Sequence, residues 1–324
     1  MPSQVTVSNG SIDGSRPIRA RIFRFDPTRD REPRYETFEL PYEKGMRILC
    51  FLERIREQGS DLAFMSSCGM AKCGTCSVSM NGRPVLSCLE SVEEDMVIEP
   101  LAFFPVIRDL VIDRTGYNAT VTALKPYLHR SEPYKGYPEK LRHHEMRDHA
   151  SLMECVECLC CQSICPVLDL ERREKTSSQT EFIGPAPLVQ LAKLAFDPRD
   201  SLNRAALALR AMIEKCVSCY ECVHVCPVEV SILECALDRM REKITIAEPD
   251  SILARHIAAF TDILEDEGLV NPTALILKTK GLAALGKLPL AIKMFRRGKV
   301  KLRKERIPNI NRIRRLTTQW VRSR

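Results

Sequence analysis

Fifteen cysteines occur in the chain, and twelve of them fall into three fixed spacings. The first set is Cys68, Cys73 and Cys76, joined by Cys88, and reads C-x4-C-x2-C with a distant fourth member. Two irons bridged by two sulfides take four thiolates, two per iron, and this is the spacing of plant-type [2Fe–2S] loops. Three thiolates then come from one short loop and the fourth from the neighbouring hairpin. Gly69 and Gly74 allow the loop backbone to approach what it wraps. Exposed loop amides can donate to the sulfurs and tune the potential. Zinc instead favours paired C-x2-C elements.

The second set is Cys155, Cys158, Cys161 and Cys165-Pro166, and the third is Cys216, Cys219, Cys222 and Cys226-Pro227. Both read C-x2-C-x2-C-x3-C-P, in which three cysteines hold one cubane and the fourth crosses to the other. The expected ligands are Cys155, Cys158, Cys161 and Cys226 for one [4Fe–4S] cluster. Cys216, Cys219, Cys222 and Cys165 are expected for the second. The crossing keeps the two clusters close, as a wire requires. Cys160 stands out of register inside the first run, as a packed residue or a donor to a ligand sulfur, and Cys50 and Cys235 read as ordinary core cysteines. His143, His144 and His149 lack a framing cysteine or carboxylate motif and read as solvated or capping side chains. No Rossmann glycine pattern, Walker A motif or nucleophile-with-base motif is recognisable. The sequence therefore predicts a conductor of electrons with no catalytic residues of its own, its only metal being the iron of the clusters.

These cysteines need elements to hold them. Residues 1–17 are polar and Gly/Ser-rich, a composition of disordered segments. From Ile18, IRARIFRF alternates as a strand, and YETFELP (35–41) alternates as its hairpin partner. Ile48, Leu49, Leu52 and Ile55 have helical spacing, with Gly59 as a stop. After the cysteine loop, strands at Cys76–Met80 and Pro84–Leu89 flank Asn81-Gly82, a strong hairpin signal. This unit spans 18–110. A charged, His- and Pro-rich connector covers 111–150. A helical two-cluster domain covers 151–245, with helical periodicity at Pro187–Phe196 and Leu202–Glu214. Residues 246–324 hold an amphipathic helix and a basic tail. The helix spans 250–267, is capped by Asp250 or Ser251, presents Leu253, Ile257, Phe260 and Leu264 on one face, and stops at Gly268.

Charge is uneven. Residues 271–324 carry sixteen Lys and Arg against Glu305 alone, while the whole chain has a net charge of +7. The body is thus acidic and the tail basic, which suits an anionic or acidic partner surface. Aromatic residues make up only 6% of the chain and rarely interleave the basic ones, which argues against nucleic-acid binding. Apolar residues do recur in the tail: Leu275, Leu282, Leu285, Leu288, Ile292, Phe295, Ile307, Ile310, Ile313 and Leu316. That pattern suits a protein groove or a membrane surface. No run is long enough for a transmembrane helix, and the N-terminus lacks a secretory pattern. Clustered cysteines in a reducing compartment are metal ligands rather than disulfides. A cytoplasmic protein is expected, with peripheral contact to the cytoplasmic membrane face as its membrane option.

The strings SCGMAKCGTC (67–76), NGRPVLSC (81–88), PVIRDLVID (105–113), LKPYL (124–128), CVECLCCQSICP (155–166), FIGPAPL (182–188) and CVSCYECVHVCP (216–227) resemble the iron–sulfur subunit of succinate dehydrogenases and fumarate reductases. The resemblance implies an α+β chain: a plant-type [2Fe–2S] ferredoxin domain of β-grasp form, an α-helical dicluster ferredoxin domain and a basic helical tail. It also implies an FAD-containing flavoprotein partner that exchanges electrons with the clusters. Three positions depart from respiratory members. Cys219 stands where they carry an apolar residue and hold a [3Fe–4S] cluster, so a full [4Fe–4S] is expected, with [3Fe–4S] as the alternative. Val167 to Leu170 replace the region of their quinone-facing Trp, and Val217 replaces a His. At the C-terminus, ARHIAAFTDILEDEGLVNP and LPLAIKMFRRGKV resemble the ferredoxin-like small subunit of heterodisulfide reductases and part of the thiol:fumarate reductase electron subunit. This implies a CCG-domain partner linked to thiols, disulfides or quinone. The alternative is a membrane-anchored succinate:quinone oxidoreductase.

Overall fold

The structure is a computed structural model that describes residues 17–134, 136, 139–174 and 182–281, with 292–293, 296–297, 307–308 and 310–311 in the tail. The segment 1–16, expected to be disordered, lies outside the described residues, as do Leu282, Leu285, Leu288, Phe295, Ile313 and Leu316 of the tail. The chain divides into two compact units, one ending at Arg239 and the other beginning at Met240.

In the first unit, β1 (Pro17–Arg24) pairs antiparallel with β2 (Arg34–Pro41) and parallel with β5 (Asp95–Glu99). β3 (Ser77–Met80) joins β4 (Arg83–Leu86) and β5, giving the order β2-β1-β5-β3-β4. A parallel pair needs a long crossover, and here it contains β2, α1 (Ile48–Glu57), the cysteine loop and the β3–β4 hairpin. The alternation in β1 buries Ile18, Ala20 and Ile22 completely. Ile48, Phe51, Leu52 and Ile55 of α1 close the same core. Both Asn81 and Gly82 have positive φ, at 50° and 80°, as the tight hairpin turn requires. The helix, hairpins and mixed sheet of the β-grasp form are thus present. β5, short and central, is an element that alternation alone does not single out.

An ion-pair cluster built on the buried Arg24–Asp109 pair fixes the start of the cysteine loop. Arg24 pairs with Asp109 at 3.1 Å, with Glu36 at 2.5 Å and with Asp61. Asp109 also accepts from the amides of Phe25 and Ala63. At the other end, the Leu49 amide at the start of α1 donates to the Ser87 carbonyl at 2.8 Å, and Ser87 N–H donates to the Cys76 carbonyl at 3.0 Å. Cys76 and Cys88 are thereby held side by side.

After the small hairpin β6 (Val106–Arg108) and β7 (Val111–Ile112), two helices occupy the expected connector: α2 (Thr115–Ala123) and α3 (His143–Ala150). α2 contains Thr, Gly and Val, weak helix formers in isolation, and Tyr117 is its buried residue. The cluster-binding region follows with α4 (Cys160–Ser163), α5 (Pro166–Glu174), α6 (Pro185–Ala195), α7 (Arg204–Arg210), α8 (Glu221–His224) and a π-helical stretch at Ile232–Asp238. α6 is apolar on nearly every face and is the buried centre of this region. Arg204, fully buried, pairs with buried Asp200 at 2.5 Å and donates to the carbonyls of Leu124, Lys125 and Tyr127. This ties the connector to α7.

The second unit holds α9 (Arg239–Ala247, whose first residue belongs to the first unit), α10 (Ile252–Glu267) and α11 (Pro272–Lys280). Ser251 caps α10, accepting from the Ala254 amide at 3.1 Å, and Gly268 ends it at φ 74°. The buried face differs from the expected one. It is built on Leu253, Ala254, Ala259 and Ile263, while Phe260 is 39% exposed. Alanines bury readily where helices approach closely, and α11 packs on α10. Tail residues return to this unit. The Ile307 amide donates to the Glu267 carbonyl at 3.0 Å, and the side chains of Ile307 and Ile310 crowd Gly268.

Candidate iron–sulfur centres

The loop carrying Cys68, Cys73 and Cys76 wraps tightly, with positive φ at Gly69, Ala71 and Gly74. Its amides turn toward sulfur. Met70 and Lys72 donate to Cys68 Sγ at 3.4 and 3.3 Å, and Ala71 donates to Cys88 Sγ at 3.3 Å. The amide donors read from the loop composition are therefore in place. The Thr75 hydroxyl lies 3.1 Å from Cys73 Sγ and is the first cause of that thiol's descent to about 6. Burial, then the neighbouring Cys76 thiol, push Cys88 up to about 11. Four thiols crowd here, and their mutual repulsion as thiolates is relieved by a bound cation.

The two cubane runs share one backbone. Cys155 and Cys216 have φ, ψ of −64°, 118° and −64°, 121°. Each amide closes a turn onto the carbonyl three residues earlier, both at 3.2 Å. Glu157 and Ser218 share φ near 53°, and Leu159 and Tyr220 share 67°. Non-glycine residues in this left-handed region cost roughly 1–2 kcal/mol each. Strain repeated at matched positions marks a functional constraint. Alternation of right- and left-handed backbone turns successive amides inward, which makes an anion-binding concavity. A cluster with four thiolates is such an anion.

The fourth cysteine of each run lies near the other run. A pocket is lined by Cys165 from the first run and Cys216, Cys219 and Cys222 from the second, with Phe182 and Leu233 as walls. Burial, then Cys216, Cys219 and Cys165, push the Cys222 thiol up to about 12. Conversely, Cys226 lies in the electrostatic field of Cys158, and Cys155 in that of Cys158 and Cys226; burial raises both. Cys161 is raised well above the usual thiol range by burial, then by Cys158, Cys155, Cys222 and Cys226. The structure thus brings Cys155, Cys158, Cys161 and Cys226 together, and Cys165, Cys216, Cys219 and Cys222 together. Cys219 is the exposed member of these eight.

Several neighbours lie outside the cysteine motifs. Gln190 Nε2 donates to Cys155 Sγ at 3.6 Å, and Lys193 Nζ donates to the Cys155 carbonyl at 3.2 Å. Tyr117 donates to Glu157 Oε2 and Arg114 to the Glu157 carbonyl, both at 2.8 Å. The Val230 amide donates to Cys226 Sγ at 3.3 Å. Gln162 brackets the Phe182–Leu188 string, donating to the Ile183 carbonyl and accepting from the Ala186 amide. Cys160 is fully buried beside Cys158, whose thiol it lowers. Cys50 is exposed and Cys235 half-buried. His143 and His144 are exposed. His149 Nδ1 donates to the Lys193 carbonyl at 2.6 Å, a capping role.

Two family models match the chain: a 2Fe-2S iron-sulfur cluster binding domain over residues 19–119 and a 4Fe-4S dicluster domain over 151–230. One chain of the fumarate reductase (CoM/CoB) of Methanothermobacter marburgensis is 36% identical over 69% of this chain and 44% of its own length. The chain thus spans under half of that relative. The succinate dehydrogenase iron-sulfur subunit of Coxiella burnetii is 32% identical over 64% of this chain and 88% of its own. Among solved structures, the Mycobacterium smegmatis Sdh1 complex contains a chain with TM-score 0.65 and 26% identity. That match covers 73% of this chain and 99% of the other.

Proposed function

This chain belongs to the iron–sulfur subunit family of succinate dehydrogenases and fumarate reductases, and on that premise we propose that it relays electrons through three clusters, without a catalytic site of its own. Electron transfer through [2Fe–2S] and [4Fe–4S] centres is the family's role. The proposed ligands are Cys68, Cys73, Cys76 and Cys88 for the [2Fe–2S] centre. Cys155, Cys158, Cys161 and Cys226 would hold one [4Fe–4S] centre, and Cys165, Cys216, Cys219 and Cys222 the other. The observation that carries the third centre is the cavity in which Cys165 joins the second run. Bound there, each cluster supplies a one-electron couple. The protein's part is to hold the sulfurs, donate amides to them and exclude water.

The relatives' names support succinate or fumarate as the substrate of the complex, and the family resemblance puts an FAD-containing flavoprotein donor or acceptor at the [2Fe–2S] end. A CCG-type thiol/disulfide partner at the other end is supported by likeness to the CoM/CoB fumarate reductase chain and by Cys219, Val167 and Val217, which depart from the quinone-linked pattern. Among the described residues no helix is long and apolar enough to cross a membrane. Iron analysis of protein purified without oxygen tests the cluster count. About ten irons per chain are expected for one [2Fe–2S] and two [4Fe–4S] centres; about six, or stoichiometric zinc, sinks the assignment.

A further inference from the structure

The two ferredoxin parts meet along a seam of backbone. A Cβ placed on Gly74 would stand 2.1 Å from the Val156 carbonyl oxygen and 3.0 Å from the Cys158 nitrogen. A side chain there forces the loops apart, and the φ of 66° also favours glycine. Beside it the Ser77 hydroxyl donates to the Cys158 carbonyl at 2.7 Å, with the Gly74 carbonyl 3.1 Å from the same hydroxyl oxygen. Cys160, two residues beyond Cys158, is fully buried. Cys73 directly precedes Gly74 and Cys76 directly precedes Ser77. A sulfur of the first set is therefore joined to one of the second by two short covalent stretches and a single hydrogen bond. Arg114 and Tyr117 also touch this run, at Glu157, but from a segment that carries none of the twelve cysteines.

We propose that this seam is the electron path between the plant-type and first cubane centres, with the Ser77 hydroxyl as its bridge and Gly74 as the positioning residue that lets the loops close. The inference rests on the cluster assignment above. The step is a one-electron transfer: one centre is oxidised as the other is reduced, no proton moves and no bond forms or breaks. Electronic coupling decays more slowly through covalent and hydrogen bonds than across a gap, so a path with one short hydrogen bond outruns looser alternatives.

The test uses the full chain with its clusters, reduced by a flash-generated deazaflavin radical. Iron content and the paramagnetic resonance signal of each centre are recorded first. If the wild type lacks these three centres, the assignment and the seam fall together. With the centres loaded, Ser77→Ala should slow electron redistribution from [2Fe–2S] to cubane several-fold. Ser77→Thr, which keeps the hydroxyl, should restore the wild-type rate. Microwave power saturation, which reads the separation of the centres, should be unchanged in both. Gly74→Ala should weaken that magnetic interaction; if it fails to load its clusters, the Ser77 pair still decides. Redistribution at the wild-type rate in fully loaded Ser77→Ala overturns the path while leaving the assignment standing.

Discussion

Cys219 is exposed while Cys161, in the other cubane set, is buried. On the proposed assignment, the iron bound to Cys219 is the one most open to solvent and oxidants. Replacing Cys219 with Ile leaves three thiolates and should convert that centre to [3Fe–4S], at a loss of about one iron per chain. Resonance spectra of the oxidised variant should show a [3Fe–4S] signal that the wild type lacks; a full signal in undamaged wild type would remove Cys219 from the ligand set. The cysteines are legible in the sequence because their spacing is local. Ser77, Gln190, Lys193 and Arg114 are not, since their contacts join distant segments: Ser77 and Cys158 are 81 residues apart. Nothing in a linear pattern records which hydroxyl will face which carbonyl.

At the level of elements, Arg204 and Asp200 hold the connector in place. Arg204→Met would leave Asp200 buried and unpaired, a loss of about 3–5 kcal/mol. Urea unfolding followed by circular dichroism should show it, and the double variant Arg204→Met/Asp200→Leu should recover only the part due to the unpaired carboxylate, because the Leu124, Lys125 and Tyr127 carbonyls still lack their donor. A single-variant loss under about 1 kcal/mol would mean the pair behaves like a surface contact. Elements with a strong period, such as α1 and the β1–β2 hairpin, are readable because one face of each meets a core. α2 and α3 are not, because tertiary contacts at Tyr117 and His149 stabilise segments of poor intrinsic pattern. The buried face of α10 departs from its apolar stripe for a related reason: a stripe weights Phe260 above Ala254 and Ala259, although small residues suit close helix packing.

Across the whole molecule, an acidic body is joined to a tail in which sixteen basic residues face one acid. Ile307 and Ile310 fold back on Gly268, so part of the tail belongs to the second unit's packing. Truncation after Gly268 should leave iron content unchanged, because all twelve cysteines precede it. If the tail docks the proposed CCG-type partner, truncation should detach that partner and stop transfer to the terminal acceptor, while flavin-driven reduction continues. Full co-purification of the truncated chain with that partner would refute the docking role, and loss of binding to anionic vesicles alone would move the tail to a membrane surface. The proposed crossing of Cys165 and Cys226 also has a consequence in time. A nascent chain emerging from the ribosome shows its plant-type loop complete long before either cubane set is whole. The first run must wait, one thiol short, until Cys226 is made, and Cys165 must wait for the entire second run. On that assignment, iron–sulfur loading of this half would be a late and nearly simultaneous event, and a chain stalled between the runs would present reactive thiols with no cluster to occupy them.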